Sequence, residues 1–381
     1  MREVKRSGLG AFLVAFAFLV VSVSRGQTWI GTGPNSNFYT PGNWQSGIVP
    51  PNTGVDSATF TTPGVTTSTT INLNSNADLL GMTFQSNGSN YTDFAFNPAG
   101  GILTIGTGGI ASSGAGFGNA YIGVPLVLAG SQNWGSVGNE TIDVYGSSLS
   151  GTGNLTTNGY VYLQTNLTFS GGITLNSGYL SLGGNSEGGN NTFAGGINVL
   201  FGTLNVYNYY GVPTPAGTGP ISMASGTQLS GYYATLPNAI TIGSALTILS
   251  NDAQGGGLTL NGPITTTSAS TNVNIYSYST VTAAGSFTGP SSTMLTISGD
   301  GAQLPPDGGS QLLFEGTLSQ VSGVTVNNAA LVLAPSGLIT SSGLLGLSST
   351  GLQVVNFGYL GLDGEFASTP GAVSTFLSTY G

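Results

Sequence analysis

The sequence predicts an all-β protein that folds as a parallel β-helix (β-solenoid), in which the chain winds through stacked coils of about 20–25 residues. Three observations predict this fold. Short segments alternate apolar and polar residues over four or five positions, which is typical of strands with one buried face. Gly or Asn interrupts these segments about every 6–10 residues, as tight turns require. Finally, one segment of the chain is repeated without a gap.

The repeat lies within residues 166–208. Asn166 to Gly184 reads NLTFSGGITLNSGYLSLGG, and Asn191 to Asn208 reads NTFAGGINVLFGTLNVYN. Gly178 of the first copy recurs as Gly202 of the second, and Gly226 continues the same spacing. One copy is too small to bury its own apolar face, so each copy is interpreted as one coil that the next coil covers.

The same pattern of short apolar segments interrupted by Gly continues at less regular spacing through residues 100–110, 256–264, 293–301, 329–337 and 358–365. We therefore predict a capping segment with the first coils over residues 27–99. A β-solenoid body follows over residues 100–381, with its repeat core at 166–230 and a continuation beyond residue 381. Gly202 is expected where a Cβ would be obstructed. An array of antiparallel β-sandwich units is the alternative fold.

Residues 1–26 are typical of a signal peptide. Three basic residues precede an apolar run over residues 9–23, and small residues surround Gly26. The apolar run is shorter than the roughly 18–20 residues that a membrane-spanning helix needs. We therefore expect cleavage after Gly26 and export, so that the protein is secreted or displayed on the outer surface of a bacterium.

Charge is almost absent from the rest of the chain. All four Lys and Arg lie at or before Arg25, there is no His or Cys, and only Glu3 of the thirteen acidic residues lies in that segment. Nucleic-acid binding is excluded because it depends on Lys and Arg. Disulfides, zinc sites and nucleophiles activated by His are excluded as well. Like charges stacked on successive coils would repel, so we expect ladders of Asn, Ser and Thr instead.

Carboxylates and Tyr are the remaining candidates for acid–base chemistry. The carboxylates form three close pairs: Glu140/Asp143, Asp300/Asp307 and Asp363/Glu365. Glycoside hydrolysis uses two carboxyls across a cleft. However, acidic residues in Gly-rich segments are more often solvated turn formers. The sequence therefore predicts no catalytic, cofactor-binding or metal site. A polysaccharidase, or a calcium ion at Asp300 and Asp307, is the less favoured interpretation.

Aromatic residues are the candidates for ligand binding. A tyrosine cluster is followed about one coil later by two further tyrosines: Tyr207, Tyr209 and Tyr210, then Tyr232 and Tyr233. Exposed rings of this kind can stack on sugar rings or on a host surface. Rings at the coil spacing also form aromatic ladders, and this is the interpretation that we favour. Trp29 and Trp44 are expected to cover the first open edge of the solenoid.

The segment NTFAGGINVLFGTLNV resembles the autotransporter-associated β-strand repeat of large exported bacterial proteins, which reads approximately N-T-Y-x-G-G-T-x-V-x-x-G-T-L-x-V. The matching residues are Asn191, Thr192, Gly195, Gly196, Val199, Gly202, Thr203, Leu204 and Val206, with Phe193 as the aromatic. The start of the chain is similar to the N-terminal segment of these proteins at Trp29, Asn43, Trp44, Pro50, Asp56 and Phe60. The resemblance covers residues 28–230 and implies a passenger-type surface or secreted protein with a β-helical body.

The sequence therefore predicts a non-enzymatic, exported structural or adhesive surface protein whose β-helix is a stalk or binding fibre. Its candidate partner is cell-surface or extracellular polysaccharide. Attachment to the outer membrane is expected to depend on a translocator or anchor outside this chain. Polysaccharide cleavage or carbohydrate binding on the same scaffold is the alternative function.

Overall fold

A computed structural model describes residues 26–61, 68–86, 93–114, 118–183, 191–208, 211–250, 257–276, 279–299, 310–333, 352–355 and 359–362. These residues form an all-β, parallel β-helix, as the sequence predicts. Each pair of strands that they contain is parallel, which is not the pattern of antiparallel sandwich units. In the described part of the chain, no helix is long and apolar enough to cross a membrane.

The described residues contain one short 3₁₀ helix, Pro41–Asn43, and thirty strands. The strands are β1 (Gln27–Trp29), β2 (Ser57–Thr61), β3 (Thr69–Leu73), β4 (Ala77–Ser86), β5 (Phe94–Pro98), β6 (Leu103–Gly114), β7 (Asn119–Ile122), β8 (Leu126–Leu128), β9 (Gln132–Ser136), β10 (Thr141–Val144), β11 (Leu149–Gly151), β12 (Leu155–Leu163), β13 (Ile173–Leu182), β14 (Ile197–Val199), β15 (Thr203–Tyr207), β16 (Ile221–Met223), β17 (Thr227–Tyr232), β18 (Ala234–Leu236), β19 (Ile240–Ile242), β20 (Ala245–Ser250), β21 (Leu258–Leu260), β22 (Ile264–Thr266), β23 (Ser270–Ile275), β24 (Thr280–Ala283), β25 (Phe287–Gly299), β26 (Gln311–Phe314), β27 (Leu318–Asn327), β28 (Ala330–Leu333), β29 (Leu352–Val355) and β30 (Tyr359–Leu362).

Parallel pairing arranges these strands in three columns along the β-helix, and each coil passes through the columns in turn. The first column includes β1–β2 and later β14–β16–β19–β22. The second includes β3–β5–β7–β10 and later β15–β17–β20–β23. The third includes β8–β11 and the six-stranded sheet β18–β21–β24–β26–β28–β30. Longer strands such as β12 and β13 pair in both the first and the second column.

Coil length varies more than the sequence predicts. Within the repeat, Ile173 pairs with Ile197 and Ile197 with Ile221, so these two coils are equal in length. Elsewhere the first column contains a shorter coil, from Leu155 to Ile173, and a longer one, from Phe287 to Leu318. The predicted coil length therefore describes the repeat but not every coil. Coils of different length still contribute strands to the columns, because the differences in length lie in the connecting segments and leave the pairing of the strands intact.

The N-terminal edge of the β-helix is closed by buried aromatic residues. Trp29 of β1 and Trp44 form an antiparallel bridge, and their rings meet edge to face with centroids 5.3 Å apart. The indole Nε1 of Trp44 donates to the carbonyl oxygen of Phe38 at 2.7 Å. Both tryptophans are at most 2% exposed. Trp29 and Trp44 thus cover the first edge, as the sequence predicts.

Uncharged ladders connect the coils on the outer surface. The Nδ2 of Asn158 donates to Oδ1 of Asn133 at 2.7 Å, and Nδ2 of Asn176 donates to Oδ1 of Asn158 at 2.8 Å. Further along, Nδ2 of Asn205 donates to Oγ of Ser181 at 2.9 Å. The polar side chains of neighbouring coils therefore form hydrogen bonds with each other, whereas stacked like charges would repel.

Asn191, the first residue of the repeat motif, connects three coils from inside the β-helix. The side chain is fully buried. Its Oδ1 accepts from the Leu167 amide at 2.9 Å, and its Nδ2 donates to the Pro215 carbonyl oxygen at 2.6 Å. A buried amide with partners on both neighbouring coils explains why Asn suits this position.

The equal spacing of Gly178, Gly202 and Gly226 in the sequence places only two of these three glycines in one column of the β-helix. Tyr179 pairs with Thr203, so Gly178 and Gly202 lie next to each other on neighbouring coils. Thr203 then pairs with Gln228, which places Thr227 rather than Gly226 beside Gly202. The regular spacing was misleading at Gly226, because one additional residue precedes β17 in that coil.

Candidate ligand-binding face

The second column presents tyrosines and one carboxylate on its outer surface. In β10, Ile142 and Val144 are buried while Asp143 faces outward. Parallel register places Asp143 beside Tyr121 of the preceding coil and beside Tyr162 of the following coil. Alternation along each strand and alignment between strands therefore bring these three side chains together.

Five tyrosines surround this position, and we call them the tyrosine face: Tyr121, Tyr145, Tyr160, Tyr162 and Tyr179. The rings of Tyr121 and Tyr145 meet edge to face with centroids 6.3 Å apart, and those of Tyr162 and Tyr179 are 5.6 Å apart. Tyr145 and Tyr160 are the most accessible, at 41% and 38% exposure. The tyrosine face therefore combines fixed ring positions with accessible aromatic surface.

Asp143 is the electrostatic centre of the tyrosine face. Its Oδ1 is buried and has no hydrogen-bond partner among the described residues. Burial raises the pKa of this carboxyl to about 6. Burial also raises the phenol pKa of Tyr145 and Tyr162, and the negative charge of Asp143 raises both further. The parallel register, which aligns Asp143 with Tyr121 and Tyr162, accounts for the effect of its charge on the neighbouring phenols.

Polar contacts fix one end of the tyrosine face. Thr141 Oγ1 donates to Oδ1 of Asn119 at 2.6 Å, and Nδ2 of Asn119 donates to the Tyr121 hydroxyl oxygen at 3.1 Å. The backbone N–H of Asn119 donates to Oδ1 of Asp93 at 3.0 Å. Tyr121 is therefore held by a chain of hydrogen bonds. Burial, followed by the charge of Asp93, raises the pKa of its phenol.

A groove of about 490 Å³ adjoins the tyrosine face at the corner between the second and third columns. It crosses four successive coils and is lined by Pro98, Gly100, Gly101, Ile102, Gly123, Pro125, Tyr145, Gly146, Ser147, Gln164, Thr165 and Asn166. A Cβ at Gly123 would lie 2.8 Å from the ring carbon Cζ of Tyr145, so the absence of a side chain there lets the ring lie against the backbone. The groove thus offers an aromatic ring, amides and hydroxyls together.

The carboxylate pair Glu140/Asp143 does not form a two-carboxylate site. Glu140 is 2% exposed and lies two residues before the buried Ile142, so both side chains point into the β-helix, whereas that of Asp143 faces outward. The Oγ of Ser112 donates to Oε2 of Glu140 at 2.6 Å, whereas Oε1 is buried without a hydrogen-bond partner among the described residues. Burial raises the pKa of Glu140, and this hydrogen bond partly opposes the shift. The two carboxyls therefore lie on opposite faces of one sheet.

The other predicted acidic pairs, Asp300/Asp307 and Asp363/Glu365, lie outside the described residues. Across the described ranges, no group of three or more His, Cys, Asp or Glu residues is positioned to hold a metal ion.

Tyr207 and Tyr232 form the aromatic ladder that the sequence predicts. Their rings stack with centroids 4.9 Å apart and planes 11° apart, and Tyr233 meets Tyr232 edge to face at 4.5 Å. Tyr209 and Tyr210 lie outside the described residues.

Sequence reasoning missed the tyrosine face. The signal that could have found it is the alternation in VYL (Val161 to Leu163), which directs Tyr160 and Tyr162 to the same side of β12. Coils of unequal length prevented the alignment of these tyrosines with those on neighbouring coils.

Comparisons with protein-family models, with curated proteins and with solved structures find no match to this chain.

Proposed function

We propose that this protein is a non-enzymatic, exported adhesive surface protein, whose β-helix is a fibre that binds polysaccharide through the tyrosine face. The observation that carries this proposal is the tyrosine face with its adjoining groove on consecutive coils. The sequence resemblance to exported repeat proteins and the signal-peptide pattern of residues 1–26 support export. The resemblance adds to the proposal but does not identify the ligand.

The chemistry of the face suits a sugar polymer. Tyrosine rings stack on the apolar faces of sugar rings, and amides and hydroxyls exchange hydrogen bonds with sugar hydroxyls. The groove supplies both, through Tyr145 and through polar residues such as Gln164 and Asn166. Coils stacked about 4.8 Å apart give the groove a length of roughly 14 Å over four coils. That length accommodates several units of a linear chain lying along the β-helix.

Cleavage of the bound polymer is the less favoured function. Glycoside hydrolysis requires two carboxyls that face each other across the substrate. Asp143 lies on the outer face, whereas the nearest predicted partner, Glu140, is buried inside. This arrangement favours binding without hydrolysis.

Affinity electrophoresis tests the proposal. The full chain is run in gels that contain different soluble polysaccharides, and a ligand retards its migration. We expect Tyr145→Ala and Tyr160→Ala to lose most of this retardation. Tyr276→Ala is the matched control, because Tyr276 is 48% exposed and lies far from the tyrosine face along the chain. Circular dichroism checks that each variant is folded.

Three results would overturn parts of the proposal. Unchanged retardation of Tyr145→Ala and Tyr160→Ala, or an equal loss in Tyr276→Ala, would contradict binding at the tyrosine face. Release of reducing ends from a polysaccharide by the wild-type protein would contradict the non-enzymatic role. A mature N-terminus that still includes residues 1–26 in the secreted fraction would contradict the proposed route of export.

A further inference from the structure

Asp143 is a desolvated charge at the centre of an aromatic surface. Tyr121 and Tyr162 flank it on the two neighbouring coils, and the charge of Asp143 also acts on Tyr145. Its Oδ1 is buried without a hydrogen-bond partner in the part of the chain that the structure describes. Removing a carboxylate from water is unfavourable unless a partner compensates it. A positively charged group placed here would therefore stabilise the ionised form of Asp143.

The side chains of the protein cannot supply that group from Gly26 onward. The four Lys and Arg are Arg2, Lys5, Arg6 and Arg25, and there is no His anywhere. Asp143 therefore cannot form an ion pair with any side chain beyond Arg25. This distinguishes it from most partly buried carboxylates, which are compensated by a basic side chain of the same protein.

An ammonium group fits this position better than a metal ion. Calcium takes six to eight oxygen ligands, often from several carboxylates, and magnesium requires octahedral geometry. Within the described ranges, Asp143 belongs to no group of three or more acidic side chains that could hold such an ion. An ammonium needs fewer acceptors, and aromatic rings attract it through their negative faces. A carboxylate between tyrosines provides both kinds of contact.

The adjoining groove indicates what carries the ammonium. Tyr145 belongs to both the tyrosine face and the groove, so a ligand on Asp143 is continuous with the surface formed by Ser147, Gln164 and Asn166. These side chains and the tyrosine ring suit sugar hydroxyls and sugar faces. A lysine side chain would use Asp143 but would leave the groove empty.

We propose that the polymer bound by the tyrosine face is built of amino sugars, with a free ammonium held by Asp143 between Tyr121 and Tyr162 and a neighbouring sugar in the groove against Tyr145. This proposal rests on the polysaccharide-binding function proposed above and specifies its ligand class.

Isothermal titration calorimetry of the full chain with a glucosamine hexamer and an N-acetylglucosamine hexamer tests the inference. A suitable pH is 6.5, where a large share of the amines is protonated and, with a pKa of about 6, most of Asp143 is ionised. We expect the glucosamine hexamer to bind at least tenfold more tightly, because acetylation removes its charge. Raising the salt concentration should weaken binding of the charged hexamer and leave that of the acetylated hexamer nearly unchanged.

Asp143→Asn separates the charge from the shape of the site. We expect it to weaken binding of the glucosamine hexamer about tenfold and to leave the acetylated hexamer unaffected. Asp78→Asn removes a carboxylate elsewhere on the β-helix and should change neither affinity. Because Asp143→Asn removes a desolvated charge, the variant should be at least as stable as the wild type at pH 6.5. Lost binding could then not be attributed to unfolding.

The outcomes distinguish this inference from the function on which it rests. Equal affinity for both hexamers, with loss in Tyr145→Ala but not in Asp143→Asn, would overturn the ammonium site and leave polysaccharide binding intact. Failure of both hexamers and of every polysaccharide in the electrophoresis panel would overturn both proposals. Binding of a trilysine peptide as tightly as the glucosamine hexamer would show that the ligand class is wrong.

Discussion

Replacement of Gly202 by Ala should disrupt the stacking of the repeat coils. Gly202 has φ +103°, a conformation that residues with a Cβ rarely adopt. A Cβ built on Gly202 would lie 2.1 Å from the carbonyl oxygen of Gly178 and 2.9 Å from its amide nitrogen. Both atoms belong to the backbone of the neighbouring coil, so no side-chain rotation can relieve the contact.

The magnitude follows from these distances. Carbon–oxygen contacts require more than about 3 Å, so the two coils must separate locally by about 1 Å. Such a separation stretches inter-coil hydrogen bonds beyond their normal length. The loss of two or three of them costs about 2–3 kcal/mol, and the positive φ adds about 1–2 kcal/mol. We therefore expect Gly202→Ala to lower the free energy of unfolding by about 3–5 kcal/mol.

Gly226→Ala is the matched control. Gly226 also has a positive φ, +82°, but no heavy atom lies within 4 Å of the position that a Cβ would take. Its replacement should therefore cost only the conformational part, about 1–2 kcal/mol. Thr203→Val, next to Gly202 in a strand, should change stability by less than about 1 kcal/mol. Urea unfolding followed by circular dichroism measures all three. Equal losses for Gly202→Ala and Gly226→Ala would refute the steric argument.

Buried polar groups and the distribution of charge lead to three more predictions. Asn191→Leu should lower the free energy of unfolding by about 2–5 kcal/mol, because it leaves two buried backbone groups unpaired. It should also speed hydrogen exchange at the Leu167 amide. The control Asn176→Ala, at an exposed position, should lower the free energy of unfolding by less than about 1 kcal/mol in the same urea titration. The pKa of Asp143 is raised to about 6, so the folded state holds this proton more tightly and the free energy of unfolding should fall as pH rises from 4 to 6. Urea titrations at pH 4 and 7 should show a smaller fall for Asp143→Asn, and an unchanged fall would contradict the assignment. If residues 1–26 are removed on export, as proposed, trypsin should leave the urea-unfolded protein intact, since no Lys or Arg follows Arg25. A small N-terminal clip on a gel would show that residues 1–26 remain.

The sequence was sufficient to predict the fold because alternation and glycine spacing are local properties of each coil. It was not sufficient to predict which outer residues become neighbours. Thr157 pairs with Leu175, but across a β-bulge the next residue, Asn158, pairs with Ser177 and leaves Asn176 unmatched. A single additional residue thus changes the alignment within one pair of strands. For the same reason Gly226 has the spacing of a column member but lies outside the column.

The close carboxylate pair Glu140/Asp143 shows how a chain with so few charges can separate its scaffold from its proposed binding surface. Glu140 faces inward and accepts a hydrogen bond from Ser112, so its role belongs to the packing of the coils. Asp143 faces outward, and its Oδ1 is buried without a hydrogen-bond partner within the described residues, as is Oε1 of Glu140. The coils around it are held by backbone hydrogen bonds and uncharged ladders that do not involve the Asp143 side chain. Its replacement by Asn should therefore change what the surface binds while the β-helix remains folded.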